Sequence, residues 1–184
     1  MYWFSIWHWI LAIVFIVVPL VYLAVGIAIL ARRKNANPGV SGLGGWMMTI
    51  VVIQLLLLIL LVRGIPDQWE QYESVKGTVH GPLSVGGQMA MGFVLLLLVL
   101  LTTVALFRRS RRFPALYAIQ WSVLFLSPAI GFFWEAWALG IELRQLARFY
   151  DIGTVLMVLA IVIVGGGTIW YLSVSQRSKN TFVR

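Results

Sequence analysis

Five long stretches of this chain contain no charged residue, and they constrain its fold more than any other feature. A helix rises about 1.5 Å per residue and the hydrocarbon core of a bilayer is about 30 Å thick, so about 20 apolar residues cross it. The uncharged stretches run from about Trp9 to Ala31, Trp46 to Val62, Gln88 to Phe107, Phe113 to about Trp134, and over the 25 residues between Asp151 and Arg177. The sequence therefore predicts an all-α, polytopic membrane bundle of five transmembrane helices.

The composition excludes a water-soluble domain. Hydrophobic residues make up 61% of the chain, and only 11% of its residues are charged, where about 25% is usual. The chain also has no cysteine, which excludes thiolate metal sites, iron–sulfur clusters and cysteine nucleophiles. No cofactor is expected.

Lysine and arginine are divided unequally between the two predicted sides of the membrane. Ten cations and no acid lie on one side: Arg32, Arg33, Lys34, Arg108, Arg109, Arg111, Arg112, Arg177, Lys179 and Arg184. The other side holds four cations and all six acids: Arg63, Lys76, Arg144, Arg148, Asp67, Glu70, Glu73, Glu135, Glu142 and Asp151. Because cytoplasmic loops are rich in Lys and Arg, we predict an outside N-terminus and a cytoplasmic C-terminus. The basic residues are topology signals and contacts to the lipid bilayer, so no nucleic-acid partner is expected.

The first span is predicted to be a retained N-terminal anchor helix, within residues 1–34. It has no positively charged start, and its apolar stretch far exceeds the ~7–15 residues of a signal peptide. Pro19 in this span and Pro128 in the fourth span each predict a kink, because proline removes one helical hydrogen bond.

Two segments on the acid-bearing side are predicted to contain short helices. Residues 65–82 read IPDQWEQYESVKGTVHGP, where Pro66 suits the first turn of a short helix and VKGTVHG suits a turn. Leu139 to Tyr150 shows apolar residues at helical spacing, which is typical of an amphipathic helix in the membrane interface. That helix is interpreted as a lid over the bundle, with a dedicated partner-binding helix as the alternative.

Three motifs in the later part of the chain occur together in a fixed order. They are GLGGW at 42–46, FRRSRRFP at 107–114 and RSKNTFVR at 177–184. In this order they resemble the bacterial membrane proteins grouped as domain of unknown function 2569. The resemblance covers residues 42–184 and implies a four-helix membrane domain and a multi-pass location in the bacterial inner membrane. It implies no activity and no site residues.

Two sets of residues in the spans stand out as candidate sites. Glu135, in the run GFFWEAWALG, is the one acid in the hydrophobic pattern, and Arg63 lies at a similar depth. They are predicted to form an ion pair, which is interpreted as structural, with a functional site as the alternative. Gly165, Gly166 and Gly167 in the fifth span predict a close helix-packing contact.

The other polar residues indicate which classes of function to consider. His8 and His80 are the only histidines and lack the spacing of a metal site, and no serine-hydrolase motif is present. Polar residues in the spans are sparse, which argues against a transport pathway. We therefore expect a non-enzymatic accessory or structural subunit with a membrane-protein partner. The alternatives are a small-molecule or lipid transporter, and a redox subunit in which one of the histidines contacts haem or quinone.

Overall fold

The computed structural model describes residues 21, 22, 24, 43, 45–142 and 152–182, with the backbone alone for 152–158. Within that part of the chain the regular secondary structure is helical. The helices are α1 (Trp46–Val75), α2 (Gly81–Phe107), α3 (Phe113–Leu139), α4 (Ile152–Val174) and α5 (Gln176–Thr181). Most of the predicted first span and of the predicted interfacial helix lies outside the described residues. Three residues of that first span, Val21, Tyr22 and Ala24, are helical.

Consecutive helices pack side by side, α1 against α2, α2 against α3, and α3 against α4. Within the described residues, α1, α2 and α3 are long and apolar enough to cross a membrane, and the described apolar stretch of α4, Leu159–Val174, is shorter. The all-helical fold and the membrane-spanning character are confirmed to that extent, whereas the count of five spans and the orientation stay predictions.

The two ends of this helical array differ in charge. We call the end at which α1 and α3 begin and α2 and α4 end the basic end. Every acid in the described residues lies in the outer parts of α1 and α3 or just after α3, toward the opposite end, which we call the acidic end: Asp67, Glu70, Glu73, Glu135 and Glu142.

The helices begin and end as predicted at the basic end but extend further at the acidic end. α1 continues without interruption through Pro66 to Val75, so the prediction of a separate short helix starting at Pro66 is wrong. A 30-residue helix is about 45 Å long and therefore extends beyond a hydrocarbon layer of about 30 Å. Proline removes one backbone hydrogen bond, and a membrane helix tolerates that loss where other groups satisfy the freed carbonyl, so the helix continues. The turn predicted at VKGTVHG is present over residues 76–80.

α2 and α3 end with the same hydrogen-bonded cap. At the end of α2 the Ser110 amide donates to Ala105 O (2.9 Å) and the Arg109 amide donates to Leu106 O (3.0 Å). This is a Schellman cap, whose C′ residue needs a left-handed backbone and is usually glycine. α3 has Gly140 there, with φ of 64°, whereas α2 has Arg109, with φ of 52°.

Pro128 lies inside α3, and its neighbour compensates for the hydrogen bond that it removes. The carbonyl of Leu124 lies four residues earlier and would normally accept the amide proton that proline lacks. The Ser127 hydroxyl donates to Leu124 O at 2.8 Å instead. The helix therefore continues through the proline with this carbonyl satisfied.

The hydrophobic core lies in the half of the array nearest the basic end. Aromatic rings fill the part of the core closest to the basic end. Phe113 packs on Tyr117 with ring centroids 5.4 Å apart, and Phe182 packs on Phe113 with ring centroids 4.5 Å apart. The buried residues of this core come from the first span, from α1 to α4 and from the residue after α5: Tyr22, Met47, Ile50, Val51, Ala105, Leu106, Phe113, Tyr117, Ala118, Trp121, Ile169, Leu172 and Phe182. In α1 all the buried residues lie within its first nine positions, Met47 to Gln54.

Candidate functional site

Two glutamine side chains form a reciprocal pair inside the core. The Gln54 amide donates to Gln120 Oε1 at 2.7 Å, and the Gln120 amide donates to Gln54 Oε1 at 3.1 Å. Gln54 also donates to Val99 O at 3.1 Å. Both glutamines are fully buried. The pair therefore joins α1, α2 and α3 by hydrogen bonds at one level of the bundle.

The equal depth of the two glutamines explains why they meet. Gln54 lies eight residues into α1 and Gln120 lies seven residues into α3, so each is about 10–12 Å from the basic end. Val99 is eight residues before the end of α2 and lies at the same level. In lipid a buried amide needs a protein partner, because no water is present to supply one.

Other buried hydroxyls bond to the backbone of their own helices. The hydroxyls of Thr102, Thr103 and Ser122 donate to carbonyls four residues earlier, at 2.7, 2.7 and 2.9 Å. Such bonds satisfy the hydroxyls locally. These groups are therefore used within their own helices.

A second set of polar contacts joins α3 and the first span to α4. The Tyr117 hydroxyl donates to Thr168 Oγ1 at 3.1 Å, and the Thr168 hydroxyl donates to Val164 O at 2.7 Å. The Tyr22 hydroxyl donates to Val162 O at 2.7 Å. The first span therefore lies along α4 at Tyr22.

The three glycines of α4 differ in their surroundings. A Cβ on Gly165 would lie 2.6 Å from a ring carbon of Trp121, and a Cβ on Gly166 would lie 3.3 Å from the Tyr22 hydroxyl. Gly167 has no neighbour within 4 Å and is exposed. Two of the predicted packing glycines therefore face helices of this chain, and the third faces outward.

Glu135 contacts a different residue from the one predicted. Its carboxylate accepts a hydrogen bond from the Gln88 amide of α2. Arg63 is exposed on α1. Among the described residues the structure contains one ion pair within 4 Å, between Lys76 and Glu73. Glu135 and Arg63 therefore do not form the predicted pair. In that exposed pair the hydrogen bond and the charge of Glu73 raise the pKa of Lys76.

The indole next to Glu135 fixes the approach of α2 and α3 toward the acidic end. Trp134 Nε1 donates to Leu83 O at 3.1 Å and to Ser84 O at 3.2 Å. Its ring lies directly on Gly87, where a Cβ would collide with it. Glycine at 87 is therefore required for this contact.

The two histidines give no metal site in the described part of the chain. His80 is exposed in the turn before α2, and His8 lies outside the described residues. No group of three His, Asp or Glu residues in that part could hold a metal ion.

The three sequence motifs meet at the basic end. Arg177, the first residue of the last motif, lies against Gly45 of the first, because a Cβ on Gly45 would be 2.9 Å from its guanidinium. Phe182 of the last motif packs on Phe113 of the middle one. α5 is held under the bundle by these contacts, with Ser178 and Phe182 fully buried. Sequence reasoning found each motif separately but not their contact.

Comparison with known protein families finds no matching family model, and comparisons with curated proteins and with solved structures find no significant match. The resemblance to the domain of unknown function 2569 family stays a prediction. Function is therefore inferred from the contacts described above.

Proposed function

We propose that this protein is a non-enzymatic accessory or structural subunit of a larger membrane assembly. Its buried glutamines bond to each other, and Tyr117 bonds to Thr168, so these polar side chains hold the chain's own helices together. This use of the polar residues favours a rigid structural element. The proposal depends on a single observation, which is the arrangement of exposed residues on the outward face of α4.

The outward face of α4 has a notch at Gly167. Ile163 is 70% exposed and Trp170 is 67% exposed. They lie four residues before and three residues after Gly167, and therefore on the same face of the helix. Small residues let membrane helices approach closely, and bulky neighbours on either side fix the position of the incoming helix. A helix of another membrane protein fits this notch.

We place this subunit in the bacterial inner membrane, as a multi-pass member of the domain of unknown function 2569 family with its basic end in the cytoplasm. The order of the three motifs and the absence of acids from the basic side support this placement. Cysteines placed at Ser110 and Ser74 test the orientation in intact cells with an impermeant thiol reagent. Only the cysteine at Ser74 should react. Reaction at Ser110 would show that the orientation is the reverse of the proposed one.

The subunit proposal is tested by extracting the protein in mild detergent at native expression and separating complexes by size. We expect a stable complex with another membrane protein, and Gly167→Leu should weaken it. Gly131→Leu on α3 is the matched control, since Gly131 also has no neighbour within 4 Å. Both substitutions replace a helical glycine by leucine, so their effects on intrinsic helix propensity are similar.

Three results would contradict the proposal. If the protein purifies alone and moves a solute across liposomes unaided, the transporter alternative replaces it. If the purified protein carries a haem or quinone absorbance, the redox alternative replaces it. If Gly131→Leu weakens the complex as much as Gly167→Leu does, the notch is not the contact.

A further inference from the structure

The basic end gathers positive charge from two separate parts of the chain. The turn between α2 and α3 carries four arginines within five residues, and α5 carries Arg177 and Lys179. The contact of Phe113 with Phe182, with ring centroids 4.5 Å apart, joins these two parts. No Asp or Glu occurs in residues 43–66, 74–134 or 152–182, which include all the described segments that form this end. In these segments no acidic side chain offsets the positive charge of Arg112, Arg177 and Lys179.

Helix dipoles increase this imbalance at two positions. Arg112 is the residue before α3, and the Arg177 guanidinium lies against Gly45, the residue before α1. The first turns of both helices contain no acid. A helix N-terminus favours anions, so cations there need an anion nearby. The C-terminal ends of α2 and α4 favour cations and act in the opposite sense.

The Arg177 guanidinium lies close to the backbone at Gly45. Gly45 has φ of 62°, and a Cβ there would be 2.9 Å from the Arg177 guanidinium. The positive φ favours glycine at this position, and the missing side chain leaves room for the guanidinium. Arg177 is half-buried, so it is not enclosed by the bundle. A guanidinium can bind a phosphate with two parallel hydrogen bonds.

We propose that the basic end is a binding site for the phosphate headgroup of an anionic phospholipid in the adjoining leaflet. Arg177 is its central residue, and Arg112 and Lys179 add positive charge at the same end of the bundle. The apolar outer surfaces of α1 and α4 next to it, with Trp46 72% exposed and Val174 53% exposed, accommodate the acyl chains. A tryptophan at this level is typical of the membrane interface. This combination of cations beside lipid-facing apolar residues selects a lipid over a soluble anion.

The test uses the full-length protein purified in a neutral detergent. Phosphatidylglycerol or phosphatidylcholine is added, bound lipid is counted by native mass spectrometry, and the thermal midpoint is followed by tryptophan fluorescence. We expect phosphatidylglycerol to remain bound and to raise the midpoint, and phosphatidylcholine to do neither. Arg177→Gln and, separately, Arg112→Gln should each weaken phosphatidylglycerol binding about fivefold.

Arg63→Gln is the control, because Arg63 is exposed on α1 far from the basic end. It should leave phosphatidylglycerol binding unchanged. Arg112 is exposed, so the test stands even if Arg177→Gln fails to fold. Equal binding of both lipids, or equal losses in the control and in Arg112→Gln, would overturn the proposal. Inorganic phosphate provides the last arm: if it raises the midpoint as much as phosphatidylglycerol does, the ligand is a soluble anion and the lipid assignment is wrong.

Discussion

Replacing one glutamine of the buried pair should destabilise the bundle strongly. Gln54→Leu keeps the side chain close in size but removes three hydrogen bonds, two with Gln120 and one with Val99 O. It also leaves the buried side-chain amide of Gln120 without either of its two hydrogen bonds to Gln54. Gln120→Leu removes two of the three bonds, because Gln54 keeps its contact with Val99 O.

The expected magnitude follows from the number of bonds lost. Hydrogen bonds between membrane helices contribute about 0.6 kcal/mol on average and up to about 1.7 kcal/mol each. Three bonds correspond to about 2–5 kcal/mol for Gln54→Leu and two to about 1–3 kcal/mol for Gln120→Leu. The double variant leaves neither glutamine unpaired, and Val99 O keeps its bond from Thr103 Oγ1. It should therefore lose less than the two single variants together, with a coupling free energy above about 1 kcal/mol.

The assay is reversible unfolding in mixed micelles, followed by tryptophan fluorescence for the parent, both single variants and the double variant. Gln71→Leu is the control, since Gln71 is exposed near the end of α1, and its free energy of unfolding should match the parent's. Strictly additive losses would refute the pairing. So would a Gln54→Leu variant as stable as the parent.

Three further predictions concern the backbone and the packing, each measured as the free energy of unfolding or the thermal midpoint in detergent. Arg109→Gly should raise the free energy by about 1 kcal/mol, because φ is 52° there, and Gly140→Ala at the equivalent position of α3 should lower it. Gly165→Ala should lower the midpoint, because its Cβ would lie 2.6 Å from an indole carbon, whereas Gly167→Ala should not; equal midpoints would contradict this packing. Ser178→Ala should raise the midpoint, because this buried hydroxyl has no hydrogen-bond partner in the described part of the chain.

The sequence predicts helix boundaries correctly where the apolar residues of a span meet glycines or arginines. Trp46, Phe107 and Phe113 are helix boundaries in both the prediction and the structure. Glycines precede the first of these residues, and arginines lie between the other two. At the acidic end the hydropathy of the sequence indicates where the hydrocarbon layer ends, but not where the helix ends. A helix can continue into the polar layer, as α1 does to Val75 and α2 does from Gly81.

The sites were harder to predict because they depend on which helix faces meet. Gln54 and Gln120 each look like an isolated polar residue in an apolar span, but their equal depth from the basic end was a usable signal. Glu135 shows that depth in the membrane alone does not identify the partner of a side chain. Arg63 and Gln88 were both plausible partners by distance along the helices, and only the packing of α2 on α3 favours Gln88.

The position of Phe182 has a consequence for how the molecule is made. A membrane protein is synthesised from its N-terminus and its helices enter the bilayer in chain order, so α1 to α4 are present before α5 leaves the ribosome. Until then the ring of Phe113 lacks the aromatic neighbour that packs on it at 4.5 Å. Closure of this part of the core therefore has to wait until Phe182 is synthesised, after the helices that form the rest of the core. A chain that ended before Phe182 would lack this ring contact altogether.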